Sequence, residues 1–533
     1  MKRVTRQEWA WAVTVAGLIV ITSTLPYLAG YLAQTPEARF CGALLDRADY
    51  HCYLARMWQG YRGEWRFRLL FTPEKHEGVY FQPFYIALGH LARLLGLGLP
   101  PAYQIVRVTF GFLMLLAVYR LIACFIASVQ ARRVAFLLAT TASGLGWLTE
   151  IIAPTPPGGV SPIDFWLLDG FTYLVLLTSP HFCAAIGLLL VIFLLLLRRP
   201  EGPSPREGAL AALASLLLGL IHPYTLLPAD LLPALYWAVE GLRTRRMCWR
   251  GLATVAAMGV VQMPLLAYDL WVFHTRPVFA GWSAQNVTLS PPLRTYLWGY
   301  GGLLVLAVVG TVVWTRQGDK EKAFPLLWAG LVAVLTHLPW NLQRRFLEGV
   351  QVPLGLLAGA GLVRIADCGL RNARHRWLMQ AAVIALMAVS NLYLTTGLTL
   401  AAATRAPALF CPADLLAGVD WLGENTSWEE TVLAGPETGS LIPARIGHRV
   451  VIGHGMETVD YESKRAAVAR FFAADTPDVE RLALLEEWGV AYVFHGPEER
   501  ALGEFDPDVA PWLVLVFRVG KVAVYQVRLE GRS

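Results

Sequence analysis

Residues 80–99 read YFQPFYIALGHLARLLGLGL, and the orientation of every later segment depends on whether this stretch crosses a bilayer. By apolar content it qualifies, because a helix of about 20 residues covers a hydrocarbon core of about 30 Å. His90 and Arg93 fall in its middle, however. Ionisable groups at membrane depth are costly, so the stretch is expected to lie in the interface instead of crossing. Residues 34–102 then form one large external loop carrying interfacial helices.

On both sides of this loop the chain is unlike a cytosolic globule. Of 533 residues, 56% are hydrophobic and only 16% charged, and long apolar runs recur from Trp9 to Ala401. Such runs must be helical, since backbone groups in lipid have to be satisfied internally and no run alternates as a barrel strand would. About eleven spans are expected, near 9–32, 103–127, 132–153, 181–197, 207–221, 226–240, 251–272, 294–315, 323–338, 347–366 and 376–401. The first follows Lys2, Arg3 and Arg6 but is too long for a signal peptide and lacks a small-residue cleavage site, so it reads as a retained anchor.

Positive residues in short loops stay in the cytoplasm. Every second connection is basic: Arg132 and Arg133; Arg198, Arg199 and Arg206; Arg243, Arg245, Arg246 and Arg250; Arg316, Lys320 and Lys322; Arg364, Arg371, Arg374 and Arg376. A multi-pass protein of the cell membrane follows, with its N-terminus cytoplasmic. The net charge of +6 comes from these arginines and points to anionic lipid, not nucleic acid. Arg276, Arg344 and Arg345 fall on the external side and break the pattern.

Residues 1–404 therefore read as an all-α transmembrane domain, and 405–533 as a soluble α/β domain outside the cell. Within the latter TVLAG, RVVIGH, AYVFHG, WLVLVF and VAVYQV have strand character, and 462–474 and 478–488 have helical periodicity. Seven scattered cysteines give no metal spacing. Only Cys41, Cys52 and Cys411 would meet an oxidising compartment, where a Cys41–Cys52 bridge is one arrangement.

The external side collects the costly polar residues. LLDRADYHCY carries Asp46, Asp49, His51 and Tyr53; SPHF carries His181; IHPYTLLPAD carries His222, Tyr224 and Asp230; LPWNLQRRFLEG carries Arg344, Arg345 and Glu348; and GHGMET in the tail carries His454 and Glu457. Plain roles stand beside functional ones. Asp49 reads as either a solvated loop carboxylate or a base, His181 and His222 as helix caps or metal ligands, and Asp230 as a partner for nearby backbone. Arg344 and Arg345 either bind phosphate or pair with Glu348 along one helix face.

One span, then an external loop opening on an acidic motif, resembles the GT-C superfamily of polyprenol-dependent membrane glycosyltransferases. Protein O-mannosyltransferases and lipid A aminoarabinose transferases are examples. The family's Asp-Glu-x-x-Tyr is similar to Asp49-Tyr50-His51-Cys52-Tyr53; Gly60, Gly63 and Trp65 follow, then YFQPFYIALGHL resembles its Tyr-Phe-x-x-Pro-Pro-Leu region. Residues 107–120 with Arg132 and Arg133 are similar to its second span. The match in sequence is confined to residues 45–133, with Tyr50 in place of Glu and Pro83 as a single proline. Asp46 is the substitute for the missing second acid.

The resemblance implies a hexosyl- or pentosyltransferase taking sugar from a polyprenyl-phosphate donor to a glycan, lipid or protein acceptor. It also implies a base (Asp49, with Asp46 and Tyr53) and cations for the phosphate (Arg344 and Arg345, with Arg107 near the outer end of its span). A monophosphate donor implies no cofactor; a diphosphate implies Mg or Mn shared by Asp46 and Asp49. The rival readings are a transporter or flippase of lipid-linked glycans and a non-catalytic assembly subunit.

Overall fold

A computed structural model describes residues 3–156, 159–199, 201–317 and 323–528. Lys2, Lys320 and Lys322, used above to orient the chain, lie outside the described residues. Among the described residues, five helices are long and apolar enough to cross a membrane: Arg6–Leu32, Leu99–Phe125, Trp249–Thr275, Leu293–Arg316 and Gln351–Gly369. Two bent pairs raise the number to seven if each is one span: Val129–Thr141 with Gly146–Ile152, bent by 48°, and Ala373–Met387 with Val389–Ala403, bent by 50°. The other four expected spans fall on the helices Pro180–Leu196, Pro205–Ile221, Leu226–Thr244 and Ala323–Leu335. Within the opening stretch Phe84–Leu95 forms a helix of its own, and Leu99 opens the next one. Its 12 residues make a rod of about 18 Å, too short to cross.

The chain divides into two compact units. The first comprises Met1–Pro26, Gln104–Ala267 and Val287–Leu400. In it, the helix Gln351–Gly369 crosses Leu293–Gln317 at backbone contact: a Cβ on Gly310 would stand 1.9 Å from the Leu357 carbonyl oxygen, and one on Gly361 2.3 Å from that of Leu306. Only glycine permits this approach, as at small-residue crossings in membranes. Glu8 and Arg132 form a buried ion pair of 2.6 Å. Arg132 therefore does more than mark a basic loop.

The second unit comprises Tyr27–Tyr103, Tyr268–Asn286 and Ala401–Ser533, so the large first loop and the tail form one body. Strand β1 (Ala38–Phe40) pairs antiparallel with β2 (Phe410–Pro412). The expected tail strands appear as β3 (Thr431–Leu433), β4 (Arg449–Val450), β5 (Val490–His495), β6 (Leu513–Val519) and β7 (Val522–Val527), in the sheet order β4-β3-β5-β7-β6. The β4–β3–β5 half is parallel and the β5–β7–β6 half antiparallel. The tail's expected helices are Tyr461–Phe472 and Asp478–Glu487.

The loop's first helix, Arg47–Arg62, starts at Asp46, whose side chain accepts from the Asp49 N–H, and stops at Gly63, whose φ of 104° suits a residue without a Cβ. It packs against Phe84–Leu95 through glycines, since a Cβ on Gly60 or Gly89 would lie 1.9 Å from the facing carbonyl oxygen of Ile86 or Met57. Its opposite side meets the tail helix Pro436–Ile446, where Trp58 Nε1 donates to the Ala444 carbonyl at 2.9 Å and Arg62 Nη1 to that of Gly447 at 2.8 Å. Val450 N–H, in β4, donates to the Leu70 carbonyl at 2.9 Å. The loop is thus built into the tail's fold.

Candidate active site

Polar side chains gather in each unit, and the two clusters are taken separately. In the second unit the helix Arg47–Arg62 puts Asp49, Tyr53 and Arg56 on one face, at spacings of four and then three. Tyr53 Oη donates to Asp49 Oδ2 at 3.3 Å, and its ring stacks on Tyr85 at 4.4 Å between centroids. From the tail, His454 Nε2 meets Asp49 Oδ1 at 3.0 Å. The backbone N–H groups of Met456 and Glu457 point at His454 Nδ1 from 3.1 and 3.3 Å, which requires a lone pair there and assigns the ring proton to Nε2.

Asp49 is thus held by a phenol on one oxygen and an imidazole N–H on the other, while 35% of its side chain stays exposed. Burial opposes charge on His454, but the hydrogen bond and charge of Asp49 raise its proton affinity, so carboxylate and imidazole are electrically linked. Asp46 caps the same helix from a left-handed backbone position, φ 48°. Crowding by protein, then the Asp49 charge, lifts its carboxyl to about 7, near the point where it shares a proton with solvent at neutral pH.

The remaining sequence candidates in this unit have structural partners. Glu457 forms a buried 2.8 Å ion pair with Arg56, which also donates to Gln82 Oε1 at 3.1 Å and lies 4.2 Å over the Phe67 ring. His51 is turned to Ser440 Oγ, 3.0 Å away, and burial pushes its imidazole down to about 3, so it packs the helix against the tail as a neutral ring. Gln285 fixes the GHGMET loop by donating to the Thr458 carbonyl at 2.7 Å and that of Met456 at 3.1 Å. Arg56 was not singled out in the sequence, although its spacing from Asp49 and Tyr53 was the available signal.

In the first unit, Arg344 and Arg345 sit in the 3-10 turn Gln343–Leu347. The pairing with Glu348 expected for one helix face does not form. A 3-10 turn lacks the α-helical register, and Glu348 leaves it with extended backbone, φ −56° and ψ 120°. Both arginines instead approach Asp169: Arg345 Nη1 lies 3.2 Å from Oδ1, and Arg344 Nε 3.5 Å from Oδ2. Two guanidinium charges meet one buried carboxylate, and both arginine side chains remain partly exposed. The turn is pinned by Arg344 N–H to the Thr288 carbonyl at 3.1 Å and Ser290 N–H to Gln343 Oε1 at 2.9 Å.

Glu348 goes to a buried cluster with His222, whose Nδ1 is 2.7 Å from Oε2, and Thr225, whose hydroxyl donates to the same oxygen. His181 and Tyr224 flank the His222 ring at 6.1 and 5.3 Å between centroids. Asp230 accepts from Gln262 Nε2 at 3.2 Å, a side chain where the sequence suggested backbone. Arg107 is buried and braces three helices, donating to the Leu176 carbonyl at 2.6 Å, Thr24 Oγ1 at 3.2 Å and Gln104 Oε1 at 2.7 Å. Asp169 was missed in sequence; the signal was an unmatched acid in an external connection opposite two unexplained arginines. The Cys41–Cys52 bridge that the sequence left open does not form: both are free thiols, and Cys41 follows the strand that pairs with the one carrying Cys411. Among the described residues no group of three or more His, Cys, Asp or Glu side chains is placed to hold a metal ion.

No family model and no curated protein matches the sequence. Solved structures match its fold. Archaeal oligosaccharyltransferase AglB from Archaeoglobus fulgidus, in complex with an inhibitory peptide and a dolichol-phosphate, is similar with a TM-score of 0.53 and 14% identity over 92% of this chain and 69% of that one. ArnT from Cupriavidus metallidurans, bound to undecaprenyl phosphate, matches with a TM-score of 0.52 and 15% identity over 96% of this chain and 98% of its own. Arabinofuranosyltransferase AftD from Mycobacteria gives a TM-score of 0.52 and 16% identity over 100% of this chain but 40% of its own length. These are GT-C enzymes, and the chain has the GT-C fold, as the motif around Asp49 implied.

Proposed function

We propose that this chain of GT-C fold is an inverting glycosyltransferase, moving a sugar from a polyprenyl-phosphate donor to an acceptor on the extracytoplasmic side of the cell membrane. The observation that carries the reading is Asp49: a part-exposed carboxylate oriented by Tyr53 and His454, with 35% of its side chain exposed to meet an acceptor hydroxyl. As the acceptor oxygen attacks the anomeric carbon, its proton passes to Asp49 and the bond from that carbon to the phosphate oxygen breaks. A single displacement needs one base and one leaving-group clamp and inverts the anomeric centre.

Arg344 and Arg345 are assigned the departing phosphate. Guanidinium groups keep their charge and offer paired donors to phosphate oxygens, and the Asp169 contact sets their geometry in advance while leaving the trio with a net positive charge. ArnT and AglB were solved with undecaprenyl phosphate and dolichol-phosphate, which supports this donor class. With a monophosphate donor the displacement needs no metal ion at Asp46 and Asp49. A diphosphate donor would bring Mg or Mn to these two carboxylates.

Incubating the purified protein with a panel of polyprenyl-phosphate sugars tests the proposal. Loss of sugar from the lipid, with inversion at the anomeric carbon, is the expected result. Binding without any loss of sugar would favour a flippase of lipid-linked glycans or a non-catalytic subunit.

A further inference from the structure

Between β1 and β2, Arg39 faces Cys411 and Phe40 faces Phe410. The ladder continues one step further, where Cys41 N–H donates to the Leu409 carbonyl at 2.9 Å. Residues two apart along a strand share a face, so Cys41 and Cys411 are diagonal neighbours on one face of the ribbon. The two sulfurs and the Arg47 guanidinium are electrostatic neighbours. The transfer mechanism uses neither cysteine. Cys52, the other thiol of the first loop, is buried at 3% exposure on the helix Arg47–Arg62.

We propose that Cys41 and Cys411 are a redox pair that closes to a disulfide, stapling the strand leading into the Asp46–Asp49 helix to the first strand of the tail. Its formation in the cell rests on the extracytoplasmic placement in the functional reading, because that is where thiols meet an oxidant. Burial opposes and the Arg47 charge favours a thiolate at both sulfurs, so the exchange can begin from either, Cys411 for example. The oxidant is the disulfide of a dithiol oxidase or of oxidised glutathione. Cys411 sulfur attacks it, forms a mixed disulfide and releases one thiolate, which takes up a proton. Cys41 then gives up its proton and attacks the Cys411 sulfur, releasing the second thiol. The oxidant gains two electrons and the protein loses them as the Cys41–Cys411 bond forms. Since this bond joins the segment before the base to the body that carries His454, it restricts how far Asp49 and His454 can part.

Thiol counting on the full-length protein, alkylated under denaturing conditions with and without prior reduction, tests the pair without requiring activity. Two of the seven cysteines should escape alkylation before reduction, and peptide mapping should link Cys41 to Cys411. In C41S or C411S every remaining cysteine should react without reductant, and reductant should lower the thermal midpoint of the wild type but not of either variant. A bond missing from isolated protein yet formed on adding oxidised glutathione would uphold the pair and overturn the extracytoplasmic placement. All seven thiols reactive even after that oxidant, or a bridge mapped from Cys41 to Cys52, would overturn the proposal.

Discussion

His454 Nε2 lies 3.0 Å from Asp49 Oδ1 although the two residues are 405 positions apart. The proposed base is thus oriented from the far end of the chain, and the tail contributes to the site chemistry through an imidazole whose other nitrogen is fixed by the N–H groups of Met456 and Glu457. Removing the imidazole in H454A should leave donor binding intact and slow transfer by about 10- to 100-fold, as expected for a charge-assisted hydrogen bond of about 1.5–3 kcal/mol. His454→Gln, which retains a donor, should recover part of the rate. Turnover measured at saturating donor decides this, and an unchanged rate in both variants would reduce His454 to packing.

Asp46 gives a pH signature. In the folded protein its carboxyl holds a proton up to about 7, whereas an unfolded chain releases it near an ordinary value of about 3.9. The folded state therefore binds more protons between these limits, and the stability tied to Asp46 should fall as pH rises from about 4 to about 7. D46N keeps a capping side chain but cannot titrate, so its thermal midpoint should lack that decline. The check is the difference between wild-type and variant midpoints across this range; parallel curves would contradict it.

Breaking the Arg56–Glu457 pair should unfold the second unit before it changes the chemistry. Both groups are buried, and removal of one partner leaves an uncompensated charge costing about 3–5 kcal/mol. Arg56→Met or Glu457→Gln should therefore lower thermal stability sharply, and combining the two should cost less than the sum. Additive losses in this double-mutant cycle would show that the pair is not coupled.

Arg344→Ala and Arg345→Ala should each weaken binding of a polyprenyl phosphate by about 10- to 100-fold, the worth of one charged hydrogen bond to phosphate. Thermal stability should change much less, since both side chains are part-exposed. Asp169→Asn should show the opposite emphasis, because its carboxylate is buried beneath the turn. Equal losses of folding and binding in the arginine variants would assign the trio to structure.

The helices and tail strands were legible because apolar length and short runs of β-branched and aromatic residues are local properties. Asp49 with Tyr53 was legible for the same reason, being one helical turn. The partners were harder to read. Asp169 reaches Arg345 over a separation of 176 residues, which no local pattern encodes. Pairing of Glu348 with the arginines, one of two readings open to the sequence, presupposed an α-helix, and the 3-10 turn sends Glu348 to His222 instead. A Cys41–Cys52 bridge was one arrangement open to the sequence, whereas strand register puts Cys41 and Cys411 on one face. GHGMET stood out only as a strand-to-loop step with polar residues. The structure divides it into His454, which faces Asp49, and Glu457, which braces Arg56.

Asp49→Asn, measured with a polyprenyl-phosphate sugar and its acceptor, tests the central claim most directly. Asparagine preserves shape and removes the proton acceptor, so transfer should fall by about 10²- to 10⁴-fold while donor binding stays near the wild-type value. Asp46→Asn should be milder. Full transfer activity in D49N, or an inactive D46N beside a near-normal D49N, would contradict Asp49 as the base.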